Sequence, residues 1–435
     1  MGDCELCGMG LLSALSLVFL CACGEASTSG PPSQMPGGGV GGGGSTGTSS
    51  GGAGAAAVAG TGGAQANGGA TSAAGSAGGS GAGTAGTGGA GATAGPTFVY
   101  VGSTNGQISL YTLDATLGKL TLVKSIAAGN YPSFLALDPA RAHLYAVNEP
   151  DAMVASFTVD PSTGDLTFLN RVASGGGSPA FVSVDYSGKY VLVANYDGGT
   201  TRVFPIGSDG SLGAPTDNKA PGQWAHMIVT DIANQFVFVL NKGSDSISQF
   251  VFDAAHGTLT PNAVPTVTTS AGAGPRHLAF HPNGKFAYVI DELDDTMSAY
   301  SYDATLGRLT WLQTLSTLPP GASGVANTCA EVVVAPSGNF VYGSNRGNDS
   351  IATFSVDSAS GKLTYLRVTP SGGNVPRSFT LSADGKLLLV ANESGNVVSF
   401  SVDLASGALT KLSSIAVPKA PQFVGIVTLP GSATK

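Results

Sequence analysis

Charged residues are scarce in this sequence: Asp, Glu, Lys and Arg together make up 11% of its 435 residues. Acidic residues outnumber basic ones, and the formal net charge is −8 at pH 7. Nucleic acids attract proteins through basic surfaces, so this balance argues against a nucleic-acid partner. The few charges that are present therefore become candidates for function.

Cysteine is nearly absent from the region that we expect to fold. Four of the five cysteines lie within the first 23 residues, and Cys329 stands alone in the rest of the chain. A single cysteine cannot form an internal disulfide, and this region has no paired CxxC motif for zinc, no CxxCH motif for haem and no GxSxG elbow. We therefore expect no cofactor and no required metal, and we expect Cys329 to be a buried apolar residue.

Apolar runs near the N-terminus are too short to span a membrane as a helix. Gly10–Ala22 has 13 residues and suits the hydrophobic core of a secretory signal, although the preceding residues include no Lys or Arg. The residues up to Cys23 resemble a bacterial lipobox, which makes Cys23 the predicted lipidation site. The Gly-, Ala-, Ser- and Thr-rich residues 24–96 predict a disordered linker. We expect an exported protein, with residues 1–23 as its signal peptide and a lipid anchor in the bacterial cell envelope.

A strand pattern, and no helical period, repeats from Thr97 onward. An aromatic and β-branched strand that ends in a polar residue, usually Asn, recurs about every 44 to 54 residues. These marker strands begin at Phe98, Ala142, Tyr190, Phe236, Phe286, Phe340 and Leu387. Two strands follow each marker and one precedes it, often opened by Pro. This pattern predicts an all-β, seven-bladed β-propeller with four-stranded blades over residues 97–429, followed by a short tail over 430–435.

The two ends of the repeat region should complete one blade. The first repeat lacks the strand that precedes its marker, whereas Pro421–Leu429 is an extra strand of the missing type. Pairing of this segment with Phe98–Gly102 would remove the open edge. We expect the closed propeller to be a monomer.

The stretch Gly274–Asp295 concentrates charge at one hairpin. Its turn, Pro282-Asn283-Gly284, brings the start of the first strand and the end of the second strand to the same edge. Arg276 and His277 should therefore lie beside Asp291 and Glu292.

A comparison of equivalent positions across the repeats separates structural from functional candidates. The Asn that recurs at the end of each marker strand is best explained as a turn cap. Other residues at these positions differ between blades and predict a binding site on one side of the channel mouth; they are His226, Arg276, His277, Glu292, Glu331, Arg346 and Arg377. Surface ion pairs without a function are the alternative explanation.

Three segments carry a resemblance to a known family: GPRHLAFHPNGKFAYVIDEL, TCAEVVVAPSGNFVYGSNRGNDSIATFSVD and VPRSFTLSADGKLLLVANESGNVVSFSVD. They resemble the lactonase family of seven-bladed propellers, which includes bacterial 6-phosphogluconolactonases of the propeller type and is similar to fungal carboxymuconate cyclases. The resemblance implies sites at the motifs PRH, NEL, AE, NRG, PR and NY. The matching residues are Arg276, His277, Glu292, Glu331, Asn345, Arg346, Arg377, Asn195 and Tyr196. The chain departs from the family at Asp291, which replaces an Asn, and at Trp224, which replaces the first His of a P-H-x-H motif that ends at His226.

Lactone hydrolysis requires a base for water, a donor for the oxyanion and an acid for the leaving alkoxide. Glu292, Glu331 or His277 could be the base, and Arg276 and Arg377 could hold the oxyanion or an anionic group of the substrate. The sequence leaves these roles open. A small-molecule lactone is the predicted substrate, and a non-catalytic propeller that serves as a binding or cell-envelope scaffold is the competing interpretation. We expect Trp311 and the strand tyrosines to pack between blades.

Overall fold

The fold is known from a computed structural model, which describes residues 95–430 except 323 and 325. In this part of the chain, 28 β-strands form seven antiparallel sheets of four strands each. The first strand of each sheet packs against the first strands of both neighbouring sheets, so the sheets close into a ring around a central axis. This arrangement confirms the predicted seven-bladed propeller. The predicted signal peptide, Cys23 and residues 24–94 of the predicted linker lie outside the described residues.

Each blade has its innermost strand at the axis, and its other strands follow outward in turn. Blade 1 contains β28 (Pro421–Thr428), β1 (Thr97–Ser103), β2 (Gln107–Asp114) and β3 (Lys119–Ala127). Blade 2 contains β4 (Pro132–Leu137), β5 (His143–Asn148), β6 (Met153–Val159) and β7 (Leu166–Ala173). Blade 3 contains β8 (Pro179–Val184), β9 (Tyr190–Asn195), β10 (Thr200–Pro205) and β11 (Asp217–Lys219). Blade 4 contains β12 (Ala225–Thr230), β13 (Phe236–Asn241), β14 (Ser246–Asp253) and β15 (Thr258–Thr268).

Three further blades complete the ring. Blade 5 contains β16 (Pro275–Phe280), β17 (Phe286–Asp291), β18 (Thr296–Asp303) and β19 (Arg308–Ser316). Blade 6 contains β20 (Thr328–Val334), β21 (Phe340–Arg346), β22 (Ser350–Val356) and β23 (Leu363–Pro370). Blade 7 contains β24 (Pro376–Leu381), β25 (Leu387–Asn392), β26 (Asn396–Val402) and β27 (Leu409–Ala416). One short 3₁₀ helix, Lys242–Ser244, follows β13. None of the described residues forms a helix with the length and apolar character needed to cross a membrane.

The marker strands are buried on both faces. Every residue of β9, β13, β17 and β25 is buried, because a neighbouring blade covers each face of these strands. This burial explains why the markers read as continuous runs of aromatic and β-branched residues. The outer strands are largely exposed, as in β15.

Tyrosines of the marker strands connect adjacent blades, as predicted. The Tyr288 hydroxyl donates to the carbonyl of Gly361 at 3.1 Å, in the outer turn of the next blade. Equivalent bonds join Tyr100 to Gly164, Tyr145 to Gly210 and Tyr342 to Gly407. The prediction for Trp311 was wrong, because this residue lies on the outer strand β19 and is 59% exposed.

The first blade is closed by both ends of the propeller. Strands β1 and β28 pair in antiparallel register from Thr97 opposite Thr428 to Ser103 opposite Pro421. This pairing confirms the predicted closure, because β28 covers the inner edge of β1 that would otherwise be open.

A β-bulge recurs near the start of the inner strand of every blade. In blade 5 the register shifts between Pro275 and His277, and similar shifts occur at the start of β4, β8, β12, β20, β24 and β28. A bulge places two residues of one strand opposite one residue of its partner and changes where side chains point. The bulge therefore decides which side chains reach the mouth of the channel.

Candidate functional site

The bulge of blade 5 brings two consecutive side chains to the same place. Strand alternation alone would send Arg276 and His277 to opposite faces. Because Arg276 is the bulged residue, both side chains turn toward the axis, and Arg276 Nη1 lies 3.3 Å from His277 Nε2. Both side chains are almost completely buried. Arg276 is further fixed by donating from Nη1 to the carbonyl of Ala330 at 2.6 Å.

Glu292 gathers cations from three blades. Its carboxylate contacts Arg276 Nε of blade 5 at 2.9 Å, Arg346 Nη2 of blade 6 at 3.0 Å and Lys242 Nζ of blade 4 at 2.5 Å. Burial alone would raise the pKa of Glu292, but Arg276, Arg346 and Lys242 overcome this effect and lower the pKa to about 2. A carboxylate with so low a pKa is a weak base at neutral pH. The geometry therefore favours Glu292 as the charge that holds the cations in place.

His277 forms an imidazole–carboxylate pair with a residue of the neighbouring blade. Its Nδ1 lies 2.8 Å from Glu331 Oε1, and the same oxygen accepts from the backbone N–H of Val332. Burial lowers the pKa of His277, and the nearby Glu331 carboxylate only partly opposes this effect. The imidazole is therefore neutral at pH 7, and Glu331 favours the tautomer with its proton on Nδ1.

Two connected spaces lie at this end of the channel. The outer one is a cavity of about 230 Å³, which we call the rim cavity. Its lining consists of Glu149, Ser178, Ala180, Tyr196, His226, Lys242, Arg276, Glu292, Arg346 and Arg377. The inner space is about 10 Å³, close to the volume that one water needs. His226, Arg276 and Arg377 line both spaces, whereas His277 and Glu331 line the inner space.

His226 stands between the two spaces as a neutral group. Burial lowers its pKa well below the ordinary value, and the nearby cations, Arg276 first among them, lower it further. Its Nδ1 is buried without a hydrogen-bond partner in the structure. The ring lies edge-on to that of His277, with 5.1 Å between the ring centroids.

Arg377 lies across the rim cavity from the Glu292 cluster. Its guanidinium is 3.5 Å from Glu149 and 3.6 Å from Glu393. The rim cavity is thus lined by four cations and two carboxylates, Glu149 and Glu292. This excess of positive charge suits an electron-rich or anionic ligand.

The structure does not bring all of the predicted residues to the rim cavity. Asn195 and Asn345 are fully buried, and their amides donate to the carbonyls of Ser174 and Thr317. Each side chain holds the loop that leads into the inner strand of its own blade. This is the backbone-bonding role that we predicted for the recurrent Asn. Tyr196, Arg346 and the other predicted site residues do line one of the two spaces.

Asp291 is also turned away from Arg276 and His277, beside which the hairpin argument placed it. Its carboxylate accepts from the hydroxyls of Thr296 and Ser298 within blade 5. Burial raises its pKa to about 7, although these hydroxyl bonds favour the charged form. Of the two adjacent carboxylates, Glu292 alone reaches the cations, because Asp291 still belongs to β17 and Glu292 follows it.

Three polar residues that line the rim cavity were missed as site residues: Glu149, Ser178 and Lys242. Glu149 and Lys242 occupy the position directly after the marker strand, as do Glu292 and Arg346. That shared position was the signal that could have identified them. Ser178 precedes the Pro that opens β8 and adopts a positive φ of 50°.

Replacing Glu292 by Gln should make stability less dependent on acid pH. The depressed pKa means that the carboxylate stabilises the fold fully above its unfolded pKa of about 4.5 and loses this effect as pH falls toward 2. Wild type should therefore exceed Glu292→Gln in free energy of unfolding by about 3 kcal/mol at pH 7, and the difference should shrink between pH 5 and pH 2. Urea unfolding at several pH values measures this. A constant difference would contradict the assignment.

Comparison with known proteins finds relatives that match most of the propeller. The family model described as "Lactonase, 7-bladed beta-propeller" matches residues 98–425. A Bacillus subtilis (strain 168) protein named 6-phosphogluconolactonase is 34% identical over 337 residues, which is 73% of this chain and 95% of the relative. A Serratia proteamaculans protein of the same name is 33% identical over 331 residues, 76% of this chain and 98% of the relative.

Solved structures show the same architecture. The Pseudomonas aeruginosa protein described as a periplasmic gluconolactonase has a TM-score of 0.72 and 28% identity, and the match covers 77% of this chain and 99% of that one. A putative 6-phosphogluconolactonase from Bacteroides fragilis has a TM-score of 0.70 at 28% identity, with 76% of this chain and 98% of that one covered. The family match, which covers more than half of the sequence, and the relatives above 30% identity lead to one conclusion: this chain belongs to the lactonase family of seven-bladed β-propellers.

Proposed function

We propose that this protein hydrolyses the lactone of a sugar acid, as the names of its relatives indicate for them. One observation carries the proposal: two arginines, and a neutral imidazole that is hydrogen-bonded to a carboxylate, surround two connected spaces. Arg276 and Arg377 line both spaces, and the pair formed by His277 and Glu331 lines the inner one. These groups supply the oxyanion donors and the base that lactone hydrolysis requires.

The proposed reaction begins with the lactone in the rim cavity and its carbonyl oxygen toward Arg276 and Arg377. A water in the inner space attacks the carbonyl carbon, and His277 Nε2 accepts the proton that the water loses. The two guanidinium groups stabilise the tetrahedral oxyanion. The ring C–O bond then breaks, and the imidazolium returns the proton to the leaving alkoxide, which gives the hydroxy acid.

Glu331 is proposed to stabilise the imidazolium that forms during the reaction. Replacing Glu331 by Gln removes a negative charge that raises the pKa of His277. The acid limb of the kcat/KM profile should therefore move to lower pH, and the maximal rate should fall by about 10²-fold or more. A pH–rate profile of both proteins measures the two effects.

Asp138→Asn is the matched control for this variant. Asp138 Oδ2 lies 2.9 Å from His143 Nδ1, in a similar imidazole–carboxylate contact. Asp138 follows β4 and His143 begins β5, so the pair lies at the end of the blade opposite the rim cavity. The acid limb of the kcat/KM profile of Asp138→Asn should lie at the same pH as that of wild type. An unchanged acid limb in Glu331→Gln would refute the role of His277 as the base.

The proposal as a whole is tested with the purified full chain and a panel of lactones at pH 7. The panel contains 6-phosphogluconolactone and unphosphorylated aldonolactones, and acid release is followed with a pH indicator. Hydrolysis above the buffer blank supports the enzyme. Rates equal to the blank for the whole panel would favour the non-catalytic scaffold instead.

We also propose that the protein is exported and lipid-anchored through Cys23. The support lies in the sequence, namely the apolar run Gly10–Ala22 and the lipobox-like residues before Cys23. Metabolic labelling with an alkyne fatty acid should mark the wild-type protein and leave Cys23→Ser unlabelled. Equal labelling of both proteins, or of neither, would contradict the anchor.

A further inference from the structure

A second space lies beside the rim cavity, on the far side of a pair of stacked aromatic rings. This space, which we call the Trp224 groove, has a volume of about 580 Å³. The residues that give it chemical character are Trp224, Asp197, Gln223 and Ser244. The reaction proposed above uses none of them.

Two stacked aromatic rings form the wall between the two spaces. Tyr196, which lines the rim cavity, stacks on Trp224 with 5.7 Å between centroids and 10° between ring planes. Lys242 Nζ, bound to Glu292, lies 5.4 Å from the centroid of the Tyr196 ring and 5.8 Å from that of the Trp224 ring. A ligand that crosses this wall would therefore occupy both spaces at once.

A second contact ties the groove to the rim cavity. Asp197 lines the groove and accepts a hydrogen bond from Ser178, which lines the rim cavity. The two spaces are thus adjacent, and both the stacked rings and this hydrogen bond lie between them.

The backbone of the repeat sets the position of Trp224. The residue directly before the inner strand has a positive φ in several blades, 53° at Trp224 and similar values at Tyr131 and Val375. Gly243 allows the indole to pack closely, since a Cβ there would come 2.8 Å from Trp224 Cδ2. The side chain nevertheless remains 44% exposed. Trp224 therefore presents a firmly positioned, half-exposed aromatic face to the groove.

The lining of the Trp224 groove fits a neutral sugar ring. An exposed indole offers apolar surface to the C–H groups of a sugar, while a carboxylate, an amide and a hydroxyl can bond its hydroxyl groups. No Lys or Arg is among the lining residues, so the groove itself does not favour a phosphate. Its volume falls within the range usual for ligand sites, about 300 to 1,000 Å³, whereas the rim cavity of about 230 Å³ is smaller.

We propose that the substrate is a glycosyl aldonolactone, a sugar lactone that carries a further sugar unit. This inference rests on the proposed lactone hydrolysis. The lactone ring occupies the rim cavity, and the glycosyl unit crosses the aromatic wall and binds against Trp224. Hydrolysis opens the lactone ester alone, consumes one water and leaves the glycosidic bond intact.

The first experiment measures specificity in the full chain. Glucono-δ-lactone is compared with the lactones of cellobionic and maltobionic acid. At least one disaccharide lactone should show a kcat/KM about tenfold or more above that of gluconolactone. In Trp224→Ala this ratio should fall at least fivefold, and Trp224→Phe should restore most of it. Equal kcat/KM for all three lactones would overturn the proposal.

The second experiment measures binding without hydrolysis. The chain has two tryptophans, so Trp224 is the only one left in Trp311→Phe, and Trp311 lies on an outer strand. Titration of this variant with cellobionate or maltobionate should change the fluorescence of Trp224, and gluconate should have little effect. If neither disaccharide acid changes the fluorescence of a protein that hydrolyses gluconolactone, the Trp224 groove does not bind the glycosyl unit and the proposal is wrong. A response in a protein that hydrolyses no lactone would overturn the proposed reaction and leave a saccharide site.

Discussion

Replacing Arg276 by Lys should lower kcat/KM for lactone hydrolysis by about 10² to 10³, which is the usual cost of losing one oxyanion donor. Arg276 uses Nε toward Glu292 and Nη1 toward the Ala330 carbonyl, and its side chain lines both connected spaces. A lysine ammonium keeps the positive charge beside Glu292 but cannot present a planar fork in several directions. Arg276→Lys should therefore lose more free energy of transition-state stabilisation, measured from kcat/KM, than free energy of unfolding.

Arg367→Lys is the matched control for this substitution. Arg367 also donates to a backbone carbonyl, that of Ser406 at 3.2 Å, but it lies on the outer strand β23. Its kcat/KM should stay within about twofold of wild type, because substitutions away from the site change little. Thermal melting of both variants separates unfolding from a defect in chemistry. Wild-type rates in a folded Arg276→Lys protein would remove Arg276 from the mechanism.

Deleting Pro421–Lys435 should prevent the propeller from folding stably. The deletion removes β28, whose pairing with β1 closes the ring. Val424, Val427 and Leu429 are almost fully buried, and loss of their burial costs about 5 to 9 kcal/mol at roughly 1.5 to 3 kcal/mol for each side chain. This loss is comparable to the whole stability of a typical domain, about 5 to 15 kcal/mol. Circular dichroism with thermal melting measures the effect.

A synthetic peptide of residues 421–430 provides the control for the deletion. Added to the truncated chain during refolding, it should restore a cooperative melting transition, because it supplies the strand that β1 lacks. The same peptide with Val424 replaced by Asp should fail, since it would bury a charge beside β1. A truncated protein that melts like the full chain would show that the closure contributes little to stability.

The fold could be predicted because its signal repeats. Each marker strand repeats the same buried pattern, so seven weak signals support one another, and the unmatched strand at Pro421 indicated how the ring closes. Tyr288 shows what the repeat pattern can and cannot predict. The pattern predicted that this side chain is buried between blades, but its hydrogen bond to the carbonyl of Gly361 depends on the position of the next blade.

The candidate site could be predicted less completely. The repeat comparison placed Arg276, Glu292 and Arg377 at one end of the channel. The family resemblance also selected Asn195 and Asn345, whose amides face the interior of their blades. Lys242 was passed over, although it contacts Glu292 at 2.5 Å. Sequence comparison identifies the ring of rim positions and does not show which members of the ring touch.

The sequence by itself determined the architecture, the number of blades and the end of the channel where charged residues collect, because hydrophobic period and strand order are local properties of the chain. Only the tertiary structure decided which groups meet. The bulge in β16 turns both Arg276 and His277 toward the axis, and the neighbouring inner strand brings Glu331 to His277. Such contacts between blades depend on local backbone irregularity and on the rotation of each sheet against the next. The spacing of residues in the sequence predicts neither property.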